Sequence, residues 1–280
     1  MDTFQLALKK AKDQGKISSR HLPWEKSNSD NGKTSKFNPQ NIELPPQLEE
    51  LPNDLINDFQ KTIENLRTEA GKKSLQVIGV TSAIDAQGNS TFISILALLL
   101  AAIERADYEQ FKKNNILQKH KNTAKPGVLL LDTQVRNPSL HKKLGISQRG
   151  GLVEIFENEI PFHKAIKSVK GSSLKMISMS QNNHFQFTPK HLNYLKSYLD
   201  ILKTKIGFIL LDIPPILKYS EGMALSKLCD GIIIVIGAGE TRWQMVQEAE
   251  HTLKNAEVNI IGTVLNKRKF FTPDWLYKRL

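Results

Sequence analysis

Two rhythms of apolar residues alternate along the chain. Short, nearly unbroken runs rich in β-branched residues lie at 75–80, 128–131, 175–179, 208–211, 231–236 and 259–264, and read as buried strands. Stretches with helical spacing lie between them. The one before the first strand runs from Asn53 to Ala70, with Leu55, Ile56, Phe59, Ile63 and Leu66 on one face and Gly71 as its stop. Strands of this kind alternating with helices predict an α/β fold, a doubly wound, mostly parallel sheet covered on both faces.

The ends of the chain break this rhythm. Residues 3–13 (TFQLALKKAKD) have the spacing of a short amphipathic helix, and 14–46 is polar and interrupted by Pro39, Pro45 and Pro46. The reading is a short helix plus a largely disordered linker over 1–46 and a single domain over 47–280. A polar stretch from Tyr108 to Lys125 reads as an insertion ahead of the second strand.

The stretch Val77 to Leu100 (VIGVTSAIDAQGNSTFISILALLL) sets the question of function. A buried strand, a turn-prone loop and a long apolar helix form the layout in which loop amides and a helix N-terminus hold phosphates. Laid on G-x-x-x-x-G-K-[ST], the chain reads Ala83-Ile84-Asp85-Ala86-Gln87-Gly88-Asn89-Ser90. The second glycine and the serine are in place, but Asn89 stands where the lysine belongs.

Composition narrows the classes. A 40% apolar and 24% charged make-up is that of a globular domain with polar ends. The net charge of +11 favours acidic partners, yet the lysines are spread through the sequence with no aromatic-interleaved patch, so no specific nucleic acid is expected. A single cysteine, Cys229, excludes an internal disulfide and reads as a small packing residue. The start of the chain lacks the pattern of a signal peptide, and the longest apolar run, Phe92 to Ile103, is shorter than a bilayer span, which gives a cytoplasmic expectation. His184 and His191 lack the spacing of metal ligands, and no G-x-S-x-G elbow or full G-x-G-x-x-G fingerprint is present.

Two apolar strands close on a single carboxylate, Leu131-Asp132 and Leu211-Asp212. Behind a P-loop this is the Walker B arrangement, in which the carboxylate positions Mg²⁺ or its waters, and the plain alternative is a cap for the next helix. The order of these motifs resembles the tyrosine kinases of bacterial exopolysaccharide biosynthesis (BY-kinases), relatives of the MinD and ParA ATPases. The resemblance runs from about Phe59 to Lys267. It rests on Val80-Thr81-Ser82-Ala83 with Gly88-Asn89-Ser90-Thr91, on Asp132 to His141 against D-x-D-x-R-x-P-x-x-H, on Gly151-Leu152, on Asp212-Ile213-Pro214-Pro215, on Asp230-Gly231, and on Gly262-Thr263-Val264-Leu265-Asn266. The resemblance implies ATP with Mg²⁺, the nucleotide at Gly88, Asn89, Ser90, Thr91 and Asn266, and the metal at Ser90, Asp132 and Asp212. Asp132 is the catalytic candidate if the chain is active. The expected partner is an inner-membrane polysaccharide co-polymerase, the chain-length determinant, with homo- or hetero-oligomers and a peripheral place at the inner membrane through that partner.

The departures gather where the chemistry would be. Besides Asn89, the second carboxylate of D-x-D is Gln134, and the tail carries one tyrosine, Tyr277, where the family has a cluster. The family's E-x-x-R-x-L-R helix has Lys61, Glu64 and Arg67 at the matching positions, the first two with reversed charge. The expected function is a catalytically impaired, pseudokinase-type relative whose ATP and Mg²⁺ site is weakened or lost. An active autokinase with a variant P-loop stays open as the enzyme alternative. A MinD/ParA-like positioning ATPase is disfavoured, since Ile84-Asp85-Ala86 lacks the additional early lysine of that group.

Overall fold

The computed structural model describes residues 45–113, 127–157, 159–180 and 184–268. The predicted helix at 3–13, nearly all of the predicted linker, most of the predicted insertion and the tail with Tyr277 lie outside these residues.

Seven strands form one sheet: β1 Val77–Ser82, β2 Val128–Asp132, β3 Lys167–Ser168, β4 Lys175–Ile177, β5 Phe208–Asp212, β6 Gly231–Gly237 and β7 Ile260–Asn266. Their order is β3-β4-β2-β5-β1-β6-β7. All neighbours run parallel except β3, which pairs antiparallel with β4. β1 lies between β5 and β6 with all six residues buried, which is why its sequence is apolar without alternation. The helices are α1 Asn53–Lys73, α2 Asn89–Lys113, α3 Leu140–Lys143, α4 Leu152–Phe156, α5 Phe162–Ala165, α6 Pro189–Lys203, α7 Ser220–Ser226 and α8 Trp243–Asn255.

By length and composition α2 could cross a bilayer, but the fold uses it as a core helix. Phe92, Ile93, Leu96, Leu99, Leu100 and Ile103 are all buried. α1 lies on α2 through the stacked rings of Phe59 and Phe92, 5.1 Å apart, and through Arg67, which reaches Glu104 at 3.4 Å and Asp107 at 2.5 Å. Arg67, one of the positions matched to the E-x-x-R-x-L-R helix, is thus engaged within its own chain. A second apolar cluster joins Leu195, Leu199 and Leu202 of α6 and Leu253 of α8 to Ile209, Leu211, Ile232 and Ile234 of the sheet.

The predicted sheet and helices are present, with corrections at the edges. α1 continues through Gly71 to Lys73 and ends on Ser74 in the left-handed conformation, and Leu55 is exposed rather than on the buried face. β1 starts at Val77 because the backbone N–H groups of Gln76 and Val77 donate to the Asp230 carboxylate at 2.9 and 2.8 Å. α2 extends to Lys113, so the predicted insertion begins later than Tyr108. β3, two residues at the sheet margin, is too short to leave a periodic signal.

Candidate functional site

β1 delivers the chain to the centre of the sheet's carboxyl edge, and the P-loop follows. Ala86 and Gly88 take positive φ, 61° and 90°. Gly88 is required twice over, by that dihedral and because a Cβ there would run into the side-chain amide of Asn266. Asn266 Nδ2 donates to the Gln87 carbonyl at 2.8 Å. Gln87 itself is buried: its Oε1 accepts from the Gly237 N–H at 2.6 Å and from the Thr241 hydroxyl, while Nε2 donates to the Asp85 carbonyl at 3.0 Å. These bonds fasten the loop to the ends of β6 and β7.

Asn89 opens α2 and is 7% exposed. Its Nδ2 donates to Ser82 Oγ at 3.0 Å, and the Ser82 hydroxyl donates to the Ile84 carbonyl at 2.6 Å. Because that hydroxyl proton is already committed, Ser82 can only accept from Asn89, which fixes the orientation of the amide. Asn89 Oδ1 is left buried without a partner. A phosphate oxygen has no proton to offer it. Where a P-loop presents an ammonium to phosphate, this loop presents a neutral amide turned back on its own strand.

Asp132 and Asp212 end β2 and β5 as direct neighbours in the register, both fully buried. Burial lifts the Asp212 carboxyl to about 6, against hydrogen bonds from Ser90 and Gln134 and the charge of Lys143 that pull it down. Burial, then the charge of Asp212, raises Asp132 well above the usual carboxylate range. Gln134 spans the pair: its backbone N–H donates to Asp132 Oδ1 at 3.1 Å, and its Nε2 donates to Asp212 Oδ1 at 3.3 Å and to the Ile213 carbonyl at 3.1 Å. The remaining oxygen of each carboxylate, Oδ2, has no partner. Two orphaned carboxylate oxygens and the Ser90 hydroxyl on Asp212 fit a hydrated divalent cation. The loop beside them, without a cation and with an orphaned acceptor, fits a polyphosphate less well.

The fold brings Gly88, Asn89, Ser90, Asp132, Asp212 and Asn266 to one edge of the sheet. Thr91 follows in the first turn of α2, exposed, with its carbonyl accepting from Ser94 Oγ at 2.8 Å. Arg136, at the arginine position of the D-x-D-x-R-x-P-x-x-H match, does not replace the missing lysine: it lies 3.6 Å from Glu221 and stands over the Tyr219 ring at 5.0 Å. Lys218 pairs with Asp85 at the tip of the loop. The structure adds Ser82, Gln87 and Thr133 to the site. Thr133 holds the end of β5 by donating its N–H and hydroxyl to the Asp212 carbonyl at 3.3 and 2.6 Å. Ser82 and Thr133 lie within the motif segments matched in the sequence, whereas nothing there singled out Gln87.

The other candidate chemistries are accounted for structurally. His191 caps α6 reciprocally with Thr188 and stacks on Phe156 and Phe185. Burial drives the Cys229 thiol far above its ordinary range, as expected of a packing residue. Among the described residues no cluster of three His, Cys, Asp or Glu side chains could hold a metal.

No family model matches the chain. It is 22% identical over 222 residues to the tyrosine-protein kinase YwqD of Bacillus subtilis, covering 78% of this chain and 84% of that protein. It is 24% identical over 221 residues to the succinoglycan biosynthesis transport protein ExoP of Rhizobium meliloti; the match covers 75% of this chain but spans only 25% of ExoP. Among solved structures, the kinase domain of Escherichia coli tyrosine kinase ETK superposes with a TM-score of 0.63 at 19% identity, over 77% of this chain and 76% of that one. MinD of Pyrococcus horikoshii, in complex with Mg-ADP, superposes with a TM-score of 0.52 at 17% identity, over 72% and 76%. The fold is that of the BY-kinase and MinD P-loop proteins, and the sequence is similar to the tyrosine kinases among them.

Proposed function

We propose that the protein is a catalytically impaired BY-kinase-like component of polysaccharide synthesis and export. The single observation that carries this reading is Asn89, a buried amide hydrogen-bonded to Ser82 where a phosphate-binding lysine would stand. A hydrogen bond to a charged group contributes about 1.5–3 kcal/mol, so losing it weakens nucleotide binding by roughly one to two orders of magnitude. The cost to phosphoryl transfer is larger, because charge develops on the moving group with no cation placed to meet it. Gln134 adds to the loss. Its amide cannot accept a proton from an attacking hydroxyl, and it already donates to Asp212 and Ile213.

Bound Mg-nucleotide would supply a transferable phosphoryl group. Ser90, Asp132 and Asp212 would hold the cation, and Gly88, Asn89, Thr91 and Asn266 would line the nucleotide. Asn89 turned onto Ser82, and Gln134 committed to Asp212 and Ile213, suit a scaffold or regulator more than a catalyst. The similarity to a succinoglycan biosynthesis transport protein supports a place beside a membrane co-polymerase, where this chain would sit at the cytoplasmic side of the inner membrane through that partner. In this reading residues 1–46 are a tether and 47–280 the folded unit.

Titrating a fluorescent ATP analogue with Mg²⁺ into the wild type and Asn89→Lys tests the reading. The expected outcome is weak or absent binding by the wild type and a gain of about ten- to a hundredfold on substitution. Phosphotyrosine should form in neither, and should return only when Gln134→Asp is added. Tight wild-type binding with ready autophosphorylation would overturn the proposal in favour of an active kinase.

A further inference from the structure

Charge is distributed unevenly over the fold. Residues 162–205 carry eight lysines, no arginine and one acidic residue, Asp200, so they hold seven of the eleven net positive charges. These lysines form one segment of the sequence, which the topology sets at one margin of the sheet. They belong to α5, to the β3–β4 hairpin at the sheet margin, and to α6, which adjoins α5 through the stacked rings of Phe162 and Tyr198, 4.2 Å apart. Two are committed internally: Lys167 donates to the carbonyls of Ser147 and Arg149 at 2.7 and 2.5 Å, and Lys203 pairs with Asp230 at 2.7 Å. Lys164, Lys170, Lys175, Lys190, Lys196 and Lys205 are exposed and form no ion pair among the described residues. On the same helix α6 exposes Tyr194 (36%) and Ile201 (52%), with half-buried Tyr198 between them.

We infer that this margin of the protein binds directly to the surface of an anionic lipid bilayer. The match is one of charge, six unpaired ammonium groups against a negative headgroup layer, joined to apolar side chains that enter the interface. The six exposed cations of this segment are all lysines, which argues against nucleic acid, whose phosphates and base edges are met best by the guanidinium fork. The tyrosines argue the same way. Tyr194 and Tyr198 pack against each other at 4.8 Å and Tyr198 against Phe162, so their rings are not free platforms for bases. The inference is independent of the proposed function, since it uses no residue of the nucleotide site and needs no protein partner.

The test is flotation of the full chain with phosphatidylcholine vesicles, with and without phosphatidylglycerol, at moderate salt. Binding should be at least about tenfold stronger with the anionic lipid, and each lysine lost should weaken it about fivefold. Lys190→Gln with Lys196→Gln should therefore lose roughly 25-fold. Lys254→Gln with Lys267→Gln, the same charge change on α8 and at the end of β7, at the opposite margin of the sheet, should stay within about twofold, since charges beyond a Debye length of the bilayer are screened. Ile201→Ser should weaken vesicle binding several-fold at unchanged charge. Equal binding to both vesicle types, an equal loss in the two lysine pairs, or no effect of Ile201→Ser would each overturn the inference. So would a short DNA duplex that binds more tightly than the vesicles and loses affinity with Lys190 and Lys196 but not with Ile201.

Discussion

Asp132 and Asp212 are held together in the core at an electrostatic cost. Each carboxyl is more readily protonated in the folded chain than in the unfolded one, Asp212 at about 6 against 3.8. Between those values the folded state binds more protons than the unfolded state, so stability is lost as pH rises and is greatest on the acid side of the window. Asp212→Asn removes the buried charge while keeping an acceptor for Gln134. Without divalent cation, it should stabilise the protein at pH 8 by on the order of 1–3 kcal/mol and change little near pH 4. Urea unfolding at the two pH values measures this, and a loss of stability at pH 8 would contradict the buried-charge account. The same pair was legible in the sequence, because an apolar strand closing on one Asp is a pattern of residue types. Its protonation was not, since that depends on β2 and β5 lying side by side.

At the scale of elements, the P-loop is a self-sufficient turn. Gln87 bonds to Gly237, Thr241 and Asp85, and Asn266 bonds back to the Gln87 carbonyl. Gln87→Ala strips the partner from the buried Gly237 N–H, and an unsatisfied buried donor costs about 1–3 kcal/mol. The loss should appear as a lower unfolding free energy together with faster amide exchange across residues 83–90. A loop that exchanged no faster would show that these bonds do not hold it. α1 offers a parallel test: Arg67→Ala leaves Glu104, whose carboxyl burial already raises, without its cation. The expected cost is about 1–3 kcal/mol, larger at pH 8 than at pH 5, because without Arg67 the ionised carboxylate is disfavoured further. The helix itself was readable from Ile56, Phe59, Ile63 and Leu66. Its ion pairs to α2 were not, because Glu104 and Asp107 lie far along the chain and their charge carries no period.

For the molecule as a whole, the sheet order decides what the sequence could not express. The near-continuous apolar strands announced a parallel sheet, but nothing local says that β5 stands between β1 and β2, or that the lysine-rich segment 162–205 lies at the sheet's margin. One residue of the central strand did carry such information. Gly79 interrupts Val77-Ile78-Gly79-Val80, and an isolated glycine in a strand marks a close approach. In the fold, a Cβ at Gly79 would meet the side chains of Ile213, Ile232 and Cys229, drawn from segments more than 130 positions away, so the glycine is where β5 and β6 close over β1. Gly79→Ala should overpack this junction and cost about 1–3 kcal/mol, with side chains on both neighbouring strands forced to shift. Pairing it with Ile213→Val should recover part of the loss, so that the double variant is more stable than the sum of the single changes predicts. Equilibrium unfolding of the four proteins in the cycle measures the coupling. Strict additivity would mean that β1 is not clamped at Gly79, and that the P-loop it carries is positioned by its own hydrogen bonds rather than by the packing of the sheet.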